Sequence, residues 1–155
     1  MESTQLVKLI NEKFPGAVVE EQKTAIVLKK ETLLSVARFL KESDLAFVNL
    51  HCVTAVDRKD KMEVVYFLYS FQHKIMLTLK VFVTLEDLSV ETLSCLWRSA
   101  DWLEREVFDL FGIKFLNHPD LRRILNPDEW TDWPLRKNFD RPDYVRLPQV
   151  TGLKG

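Results

Sequence analysis

Residues 104–125 read EREVFDLFGIKFLNHPDLRRIL, and this stretch decides how the chain is organised. It begins inside an amphipathic helical pattern, passes Gly112 and leads to two adjacent arginines, Arg122 and Arg123. Gly112 predicts the end of the helix, because glycine readily adopts the left-handed conformation that closes a helix C-terminus. No recognisable set of catalytic groups accompanies these residues, which favours a structural role over an enzymatic one.

The helix that leads into this stretch is predicted to span residues 90–111. Apolar residues recur there at helical spacing, and Ser89 is a suitable N-cap. Asp101 followed three residues later by Glu104 also resembles a capping box. A break near Ser99, with a second helix start after it, is therefore the alternative.

The rest of the chain before Gly112 alternates between helical and strand patterns. Helices are predicted over residues 4–14 and 31–42. Strand patterns cover residues 17–29 (one or two short strands), 46–57, 62–71 and 74–83. Residues 62–71 are apolar on both faces, which favours an interior strand, and the last two strands form a hairpin around Gln72 and His73. The prediction is an α+β domain with a mixed sheet and helices packed against it.

The character of the sequence changes after residue 116. Five of the six prolines lie in residues 117–150, interleaved with arginines and aromatic residues and without periodicity. We therefore divide the chain into an α+β domain, residues 1–116, and an extended, irregular C-terminal tail, residues 117–155. A proline-rich arm with spaced aromatic and arginine side chains suits packing along partner subunits. The alternative is a tail that folds back on its own domain.

Composition excludes several classes of function. The chain has 155 residues and a net charge of −1, so we expect no binding to nucleic acid. The longest apolar run, residues 64–69, is far shorter than the about 20 residues of a membrane helix. The charged N-terminus does not resemble a signal peptide. We expect membrane association only through partners.

The potential metal ligands are few and scattered. Cys52 and Cys95 are the two cysteines, whereas an iron–sulfur cluster or a structural zinc site needs about four ligands at short spacing. His51, His73 and His118 fall in a strand, a hairpin turn and a loop. The sequence therefore predicts two reduced, half-buried thiols and no metal site.

Glu104 conflicts with its own helix. On a helical projection it lies in the middle of the apolar stripe, where an unpaired carboxylate costs several kcal/mol. It must therefore act in an internal ion pair or backbone cap, contact another subunit, or serve as a catalytic acid. Trp102 presents the opposite problem, because it falls among the charged residues. It is either covered by the tail or lies at an interface.

Pro119 is suited to the first turn of a short helix, with Asp120 near the positive end. That helix would present Arg122 and Arg123 in different directions, so that one pairs internally while the other faces outward.

An ordered series of motifs resembles a known family. The motifs are EREVFDLFG at residues 104–112, HPDLRRIL at residues 118–125 and PLRK at residues 134–137. Upstream, TAVD, VVYFL and ADWLERE fit as well. The series resembles the thirty-kilodalton subunit family, or C subunit, of the proton-pumping NADH–quinone oxidoreductase, which is respiratory complex I.

The resemblance implies a non-catalytic structural and assembly subunit in the peripheral arm, on the cytoplasmic side of the cell membrane. Such a subunit supports electron transfer from NADH to quinone, coupled to proton translocation. FMN, the iron–sulfur clusters and quinone are bound by partner subunits, and none by this chain. The expected partners are the quinone-pocket subunit and the subunit that carries the terminal iron–sulfur cluster. Since the sequence ends at Gly155, we expect a polypeptide separate from the quinone-pocket subunit.

The resemblance also implies that the signature residues are interface positions, with no catalytic, cofactor or metal site. The interface residues are Trp102, Glu104, Arg105, Glu106, Asp109, His118, Arg122, Arg123, Arg136 and Lys137. Two alternatives stay open. The chain could be the equivalent subunit of a membrane-bound hydrogenase or of a photosynthetic or F420-linked complex. It could also be a free-standing enzyme that uses Glu104 and His118.

Overall fold

The computed structural model of the chain describes residues 3–139. Along the sequence, the elements are α1 (Ser3–Lys13), β1 (Val18–Gln22), β2 (Ala25–Leu28), α2 (Leu33–Glu42), β3 (Asn49–Asp57), β4 (Lys61–Ser70), β5 (Ile75–Thr84), β6 (Ser89–Glu91), α3 (Arg98–Phe111) and β7 (Lys114–Leu116). A 3-10 turn, Lys30–Thr32, precedes α2.

Five strands form one mixed sheet in the order β1-β2-β5-β4-β3. β2 and β5 are parallel, and the other neighbouring pairs are antiparallel. β4 and β5 pair from Ser70 with Ile75 outward, so the predicted hairpin around Gln72 and His73 is confirmed. The mixed sheet with packed helices also confirms the predicted α+β class.

The three helices within residues 3–139 pack on the same face of this sheet. Val64 and Leu68 of β4 point to that face, and both are fully buried. They belong to one core with Ile10 of α1, Leu40 of α2 and Val107 of α3. Each such side chain contributes roughly 1.5–3 kcal/mol when it is removed from water. β4 lies between β5 and β3, which confirms its assignment as an interior strand.

The predicted start of the last helix at Val90 is wrong. Residues Ser89–Glu91 form β6, which pairs in parallel with β7. Val90 is buried, and its neighbours on either side are half-buried, so the segment has the alternation of a strand. A segment of three residues is too short for its periodicity to distinguish a strand from a helix.

The last helix, α3, begins at Arg98, close to the alternative break predicted near Ser99. Trp97 before it is extended, with φ −128° and ψ 125°. Its indole Nε1–H donates to the carbonyl oxygen of Val48 at 3.1 Å, and the Ser99 hydroxyl donates to that of Leu50 at 3.0 Å. These bonds tie the start of α3 to the edge strand β3 and to the residue that precedes it.

The end of α3 is as predicted. Gly112 has φ 76°, in the left-handed region, and its N–H donates to the carbonyl oxygen of Phe108 at 2.8 Å. This conformation turns the chain sharply into β7, and it brings the residues that follow back across the helix.

The short helix predicted after Pro119 is wrong. Residues 117–139 contain no helix or strand. In a helix the amide N–H groups of residues 124–126 would bond to backbone carbonyls, whereas here they all donate to the side chain of Asp109. We call residues 121–139 the strap, because they run back over α3. Residues 140–155, including the predicted tail residues Tyr144 and Arg146, lie outside the described part, and the packing of the tail on partners stays a prediction.

Gly112→Ala should destabilise the protein by more than its backbone conformation alone explains. A Cβ at this position would lie 2.6 Å from the Trp133 ring and 2.6 Å from Arg136 Nη2, so the strap would have to move. Positive φ alone costs an alanine about 1 kcal/mol. We expect a total loss of about 2–4 kcal/mol in the free energy of unfolding, measured by urea denaturation.

The matched control is Gly16→Ala. Gly16 has φ 75°, but its added Cβ meets only the flexible end of Lys29, at 3.7 Å. This substitution should therefore show the backbone cost alone. Equal losses at the two glycines would mean that the strap does not rest on Gly112.

Candidate functional site

The Asp109 carboxylate is the centre of the contacts between α3 and the strap. Asp109 is fully buried although it carries a charge. Its Oδ2 accepts the backbone N–H groups of Ile124, Leu125 and Asn126 at 3.1, 2.7 and 2.8 Å. Its Oδ1 accepts the Arg123 guanidinium at 2.7 Å and the Asn126 side-chain amide at 3.0 Å.

These contacts keep Asp109 ionised. Burial by itself raises the pKa of a carboxyl, since it removes the charged form from water. The hydrogen bonds from Asn126, Arg123 and Leu125 outweigh this effect, and they hold the pKa of Asp109 well below its ordinary value. Asp109 thus acts as a permanent anion around which the backbone of the strap is wrapped.

Arg123 completes this centre from the strap. Its Nη1 donates to both the carboxylate and the backbone carbonyl of Asp109, and its Nη2 donates to the carbonyl oxygen of Asp132 at 3.1 Å. The guanidinium lies 4.4 Å from the centre of the Trp133 ring. One arginine therefore joins the helix to two separate parts of the strap.

Arg105 holds the strap from the helix side. It is almost fully buried, and it donates from Nε to the carbonyl oxygen of Arg122 at 3.2 Å and from Nη2 to that of Arg123 at 3.1 Å. Trp102 stacks on this guanidinium at 5.0 Å and is itself 61% exposed. The described part of the tail therefore leaves Trp102 open to solvent.

The second half of the strap is fixed at Gly112 and at the end of β3. Trp133 packs edge-on against Phe108, with ring centres 5.4 Å apart. Arg136 donates from Nε to the carbonyl oxygen of Phe111 at 2.6 Å. The Lys137 N–H donates to Asp57 at 2.8 Å, and this bond is the main reason why the pKa of Asp57 is lowered.

Glu104 occupies a separate site under the start of α3. It is fully buried and accepts the N–H of Leu93 at 2.7 Å and the hydroxyl of Thr92. Tyr66 is also fully buried, and its hydroxyl has no hydrogen-bond partner among the described residues. Burial raises the pKa of the Glu104 carboxyl to about 7, against the opposing effect of the two hydrogen bonds. Of the roles left open from the sequence, the backbone cap fits this geometry.

His118 lies beside Glu104 without forming a catalytic pair. Its Nδ1 accepts the N–H of Asp120 at 3.1 Å. Nε2 faces the carbonyl oxygen of Asp101 at 3.1 Å and lies 3.9 Å from the Glu104 carboxylate. One ring nitrogen therefore orders the segment after β7, and the other holds that segment against α3.

The structure divides the predicted interface residues into three groups by their burial. Glu104, Arg105 and Asp109 are buried, as is the side chain of Arg123, and their charged groups contact this chain's own backbone. His118 and Arg136 are half-buried overall, and the exposed members are Trp102, Glu106, Arg122 and Lys137. Whether any of them contacts a partner subunit stays a prediction.

Sequence reasoning missed four residues of these sites: Thr92, Asp57, Asn126 as a ligand of Asp109, and Trp133. Their positions along the chain give no signal, because the contacts span up to 80 residues. Gly112 is the one signal in the sequence for these contacts. A glycine after the helix lacks a Cβ, so the Trp133 ring can lie directly against the backbone.

The described residues contain no cluster of histidine, cysteine and acidic side chains that could hold a metal ion. Cys52 is half-buried as predicted, whereas Cys95 is exposed. Within residues 3–139, no helix has the length and apolar content required to cross a bilayer.

Residues 26–145 match a family described as the respiratory-chain NADH dehydrogenase, 30 Kd subunit. The chain belongs to this family. The match covers most of the sequence and includes both α3 and the strap, so the resemblance seen in the motifs is confirmed. Members of the family are subunits of multi-subunit respiratory complexes that are associated with membranes.

Individual relatives of this 30-kilodalton family match over most of their length. The chain is 44% identical to the C subunit of NADH-quinone oxidoreductase from Geobacter sulfurreducens, over 89% of this chain and 90% of the relative. It is 35% identical to NADH-ubiquinone oxidoreductase subunit 9 of Reclinomonas americana, over 92% and 71% of the two chains. These similarities support the function of a complex I subunit.

The fold is shared with solved structures of other proteins, and two of them illustrate the similarity. One is the trypsin-resistant fragment (1-134) of Nqo5, with a TM-score of 0.64 and 29% identity over 78% of this chain and all of the fragment. The other is a chain of the membrane-bound sulfane sulfur reductase, an archaeal respiratory membrane complex. It has a TM-score of 0.73 and 29% identity over 88% of this chain and 85% of that chain.

Asp109→Asn should strongly destabilise the protein, because it leaves the buried Arg123 guanidinium without its counter-ion. Removing one partner of a buried pair costs about 3–5 kcal/mol. We expect a loss at the lower end of that range, about 3 kcal/mol, since the strap can detach without unfolding the sheet. Urea denaturation of the isolated chain measures the change.

Asp120→Asn is the matched control for this substitution. Asp120 pairs with Arg122 at 2.9 Å, and both side chains are more than half exposed. The distance from Asp120 to the buried Arg105 is longer, 4.0 Å, at the limit for an ion pair. Exposed pairs contribute less than about 1 kcal/mol, so the control should be nearly neutral. If both variants were nearly neutral, Asp109 would not hold the strap.

Glu104 should make stability depend on pH near neutrality. Its pKa is about 7 in the folded protein and 4.5 as an ordinary glutamate. A raised pKa gives a stabilisation that is complete below the lower value and is lost as the pH rises through the higher one. The free energy of unfolding should therefore fall by about 3 kcal/mol between about pH 5 and about pH 8.

Glu104→Gln should remove most of this slope, because glutamine stays neutral and keeps the carbonyl that accepts the Leu93 N–H. Asp57, Glu63 and Asp109 have lowered pKa values and titrate below this pH window. A wild-type slope that persisted unchanged in the variant would assign the titration to another group.

Proposed function

We propose that the chain is a non-catalytic subunit of the peripheral arm of complex I, placed on the cytoplasmic side of the membrane. The proposal rests on the contacts of the charged residues in the motifs of the family. Arg105, Asp109 and Arg123 bond to this chain's own backbone and to one another, so they are committed to shaping the strap. FMN, the iron–sulfur clusters and quinone would all be held by other subunits.

The proposed partners are the quinone-pocket subunit and the subunit with the terminal iron–sulfur cluster. Support comes from the exposed apolar side chains around α3 and the strap. Trp102, Leu125 and Leu135 are 61%, 65% and 51% exposed. Large aromatic and aliphatic side chains of this kind become buried at subunit interfaces. α3 and the strap thus offer exposed apolar side chains for docking.

A counterpart role in another respiratory membrane complex is the second candidate. It is favoured by the similarity to the sulfane sulfur reductase chain, at 29% identity. The relatives that are named for NADH–quinone or NADH–ubiquinone oxidoreductase reach 35–44% identity, which favours the first candidate.

A free-standing enzyme built on Glu104 and His118 is disfavoured by the geometry. Both side chains are inaccessible to solvent. Glu104 is engaged by Thr92 and Leu93, and His118 by Asp101 and Asp120. A substrate could reach neither group without unfolding the start of α3.

Affinity purification from the native host tests the proposal. A tagged chain should recover several other proteins, including subunits with iron–sulfur clusters, and the eluate should oxidise NADH with a quinone acceptor. The chain purified alone should show no such activity. Recovery of the chain alone from gently solubilised membranes would contradict the proposal. Recovery of a complex that does not oxidise NADH would favour the second candidate.

A further inference from the structure

A groove opens where the end of the strap meets the ends of β3 and β5. Its volume is about 380 Å³. The polar side is formed by Asp57, Lys59, Arg136 and Lys137, and the apolar side includes Met62 and Leu85. Leu85 is 47% exposed, so a large apolar side chain lines the groove in contact with water.

The charge of this groove is positive. It contains three cations, Lys59, Arg136 and Lys137, against the single carboxylate of Asp57. Both oxygens of Asp57 are already occupied, because Oδ1 accepts the N–H of Lys59 at 2.7 Å and Oδ2 accepts that of Lys137 at 2.8 Å. Asp57 therefore fixes the backbone of two of the cations and forms no ion pair with their side chains.

The three cationic residues are held in place, but their side chains form no ion pair within residues 3–139. Among the described residues the Arg136 guanidinium gives one hydrogen bond, from Nε to the carbonyl oxygen of Phe111, and it lies 5.6 Å from the centre of the Trp133 ring. Burial lowers the pKa of its guanidinium, and only the charge of Asp57 opposes this effect. Lys59 has φ 75°, a conformation that a lysine keeps only when its surroundings fix it. A partly desolvated arginine beside two exposed lysines gains from a carboxylate ligand.

We infer that this groove binds an acidic segment of another subunit. One carboxylate would lie between Arg136 and Lys137, and a neighbouring apolar side chain would cover Leu85. The inference rests on the proposed function, since it requires partner subunits. The net charge of +2 in the groove matches one or two carboxylates of a ligand. A free phosphate or a polynucleotide would leave the apolar wall of the groove without a contact.

Charge reversal tests the groove. The variant Lys59→Glu with Lys137→Glu changes two exposed lysines whose side chains have no ion pair within the described residues. Lys23→Glu with Lys74→Glu is the matched control, since these lysines are also exposed and make the same change in net charge. Circular dichroism and thermal unfolding should show that both variants fold like the wild type.

Affinity purification of each tagged chain is the readout. The groove variant should recover its partner subunits at least about tenfold less well than the control variant, because like charges opposed across an interface are strongly unfavourable. Equal recovery by the two variants would contradict the inference that the groove binds a partner subunit, and it would leave the proposed function intact. Failure of the wild-type chain to recover any subunit would contradict the proposed function itself.

A photo-crosslinking amino acid in place of Asn138 identifies the occupant in the assembled complex. Asn138 lines the groove and is exposed. Mass spectrometry should find a crosslink to a segment of another subunit that contains aspartate or glutamate next to an apolar residue. A crosslink to a basic segment, to lipid or only to this chain would overturn the inference.

Discussion

The buried carboxylate of Asp109 is the constraint on which the C-terminal half of the structure depends. A charge in the interior is stable only when every lone pair is used, and here backbone N–H groups, an amide and a guanidinium use them. Because three of the donors are consecutive backbone amides, the carboxylate replaces the secondary structure that this segment lacks. A stretch rich in proline and charge thereby becomes an ordered part of the domain.

Glu104 is also a fully buried carboxyl group, but its surroundings differ from those of Asp109. Asp109 stays ionised because a cation and several donors surround it, whereas Glu104 accepts hydrogen bonds from Thr92 and Leu93 and forms no ion pair with a lysine or arginine of residues 3–139. Burial consequently raises the pKa of Glu104 to about 7. Two carboxylates five residues apart on one helix therefore have pKa values shifted in opposite directions, and each fixes a different segment of irregular backbone.

The sequence predicted the sheet and the helix end well, because those elements are encoded locally. Alternation in β5, the doubly apolar β4 and Gly112 each carry their own signal. Residues 117–139 could not be predicted in this way, since Asp109 reads as a polar-face residue on a helical projection. Only the folded strap shows why that face needs an aspartate. The same is true of Arg105, which the motif suggested as an interface residue and which the structure uses internally.

The most direct test is whether the strap is ordered without any partner, and hydrogen exchange of the isolated chain measures it. The amides of Ile124, Leu125 and Asn126 should exchange orders of magnitude more slowly than in an unstructured peptide, and Asp109→Asn should abolish that protection. If these three amides exchanged at the rate of an unstructured chain in the wild-type protein, the strap would form only on assembly. The claim that Asp109 orders the strap within the isolated chain would then be contradicted.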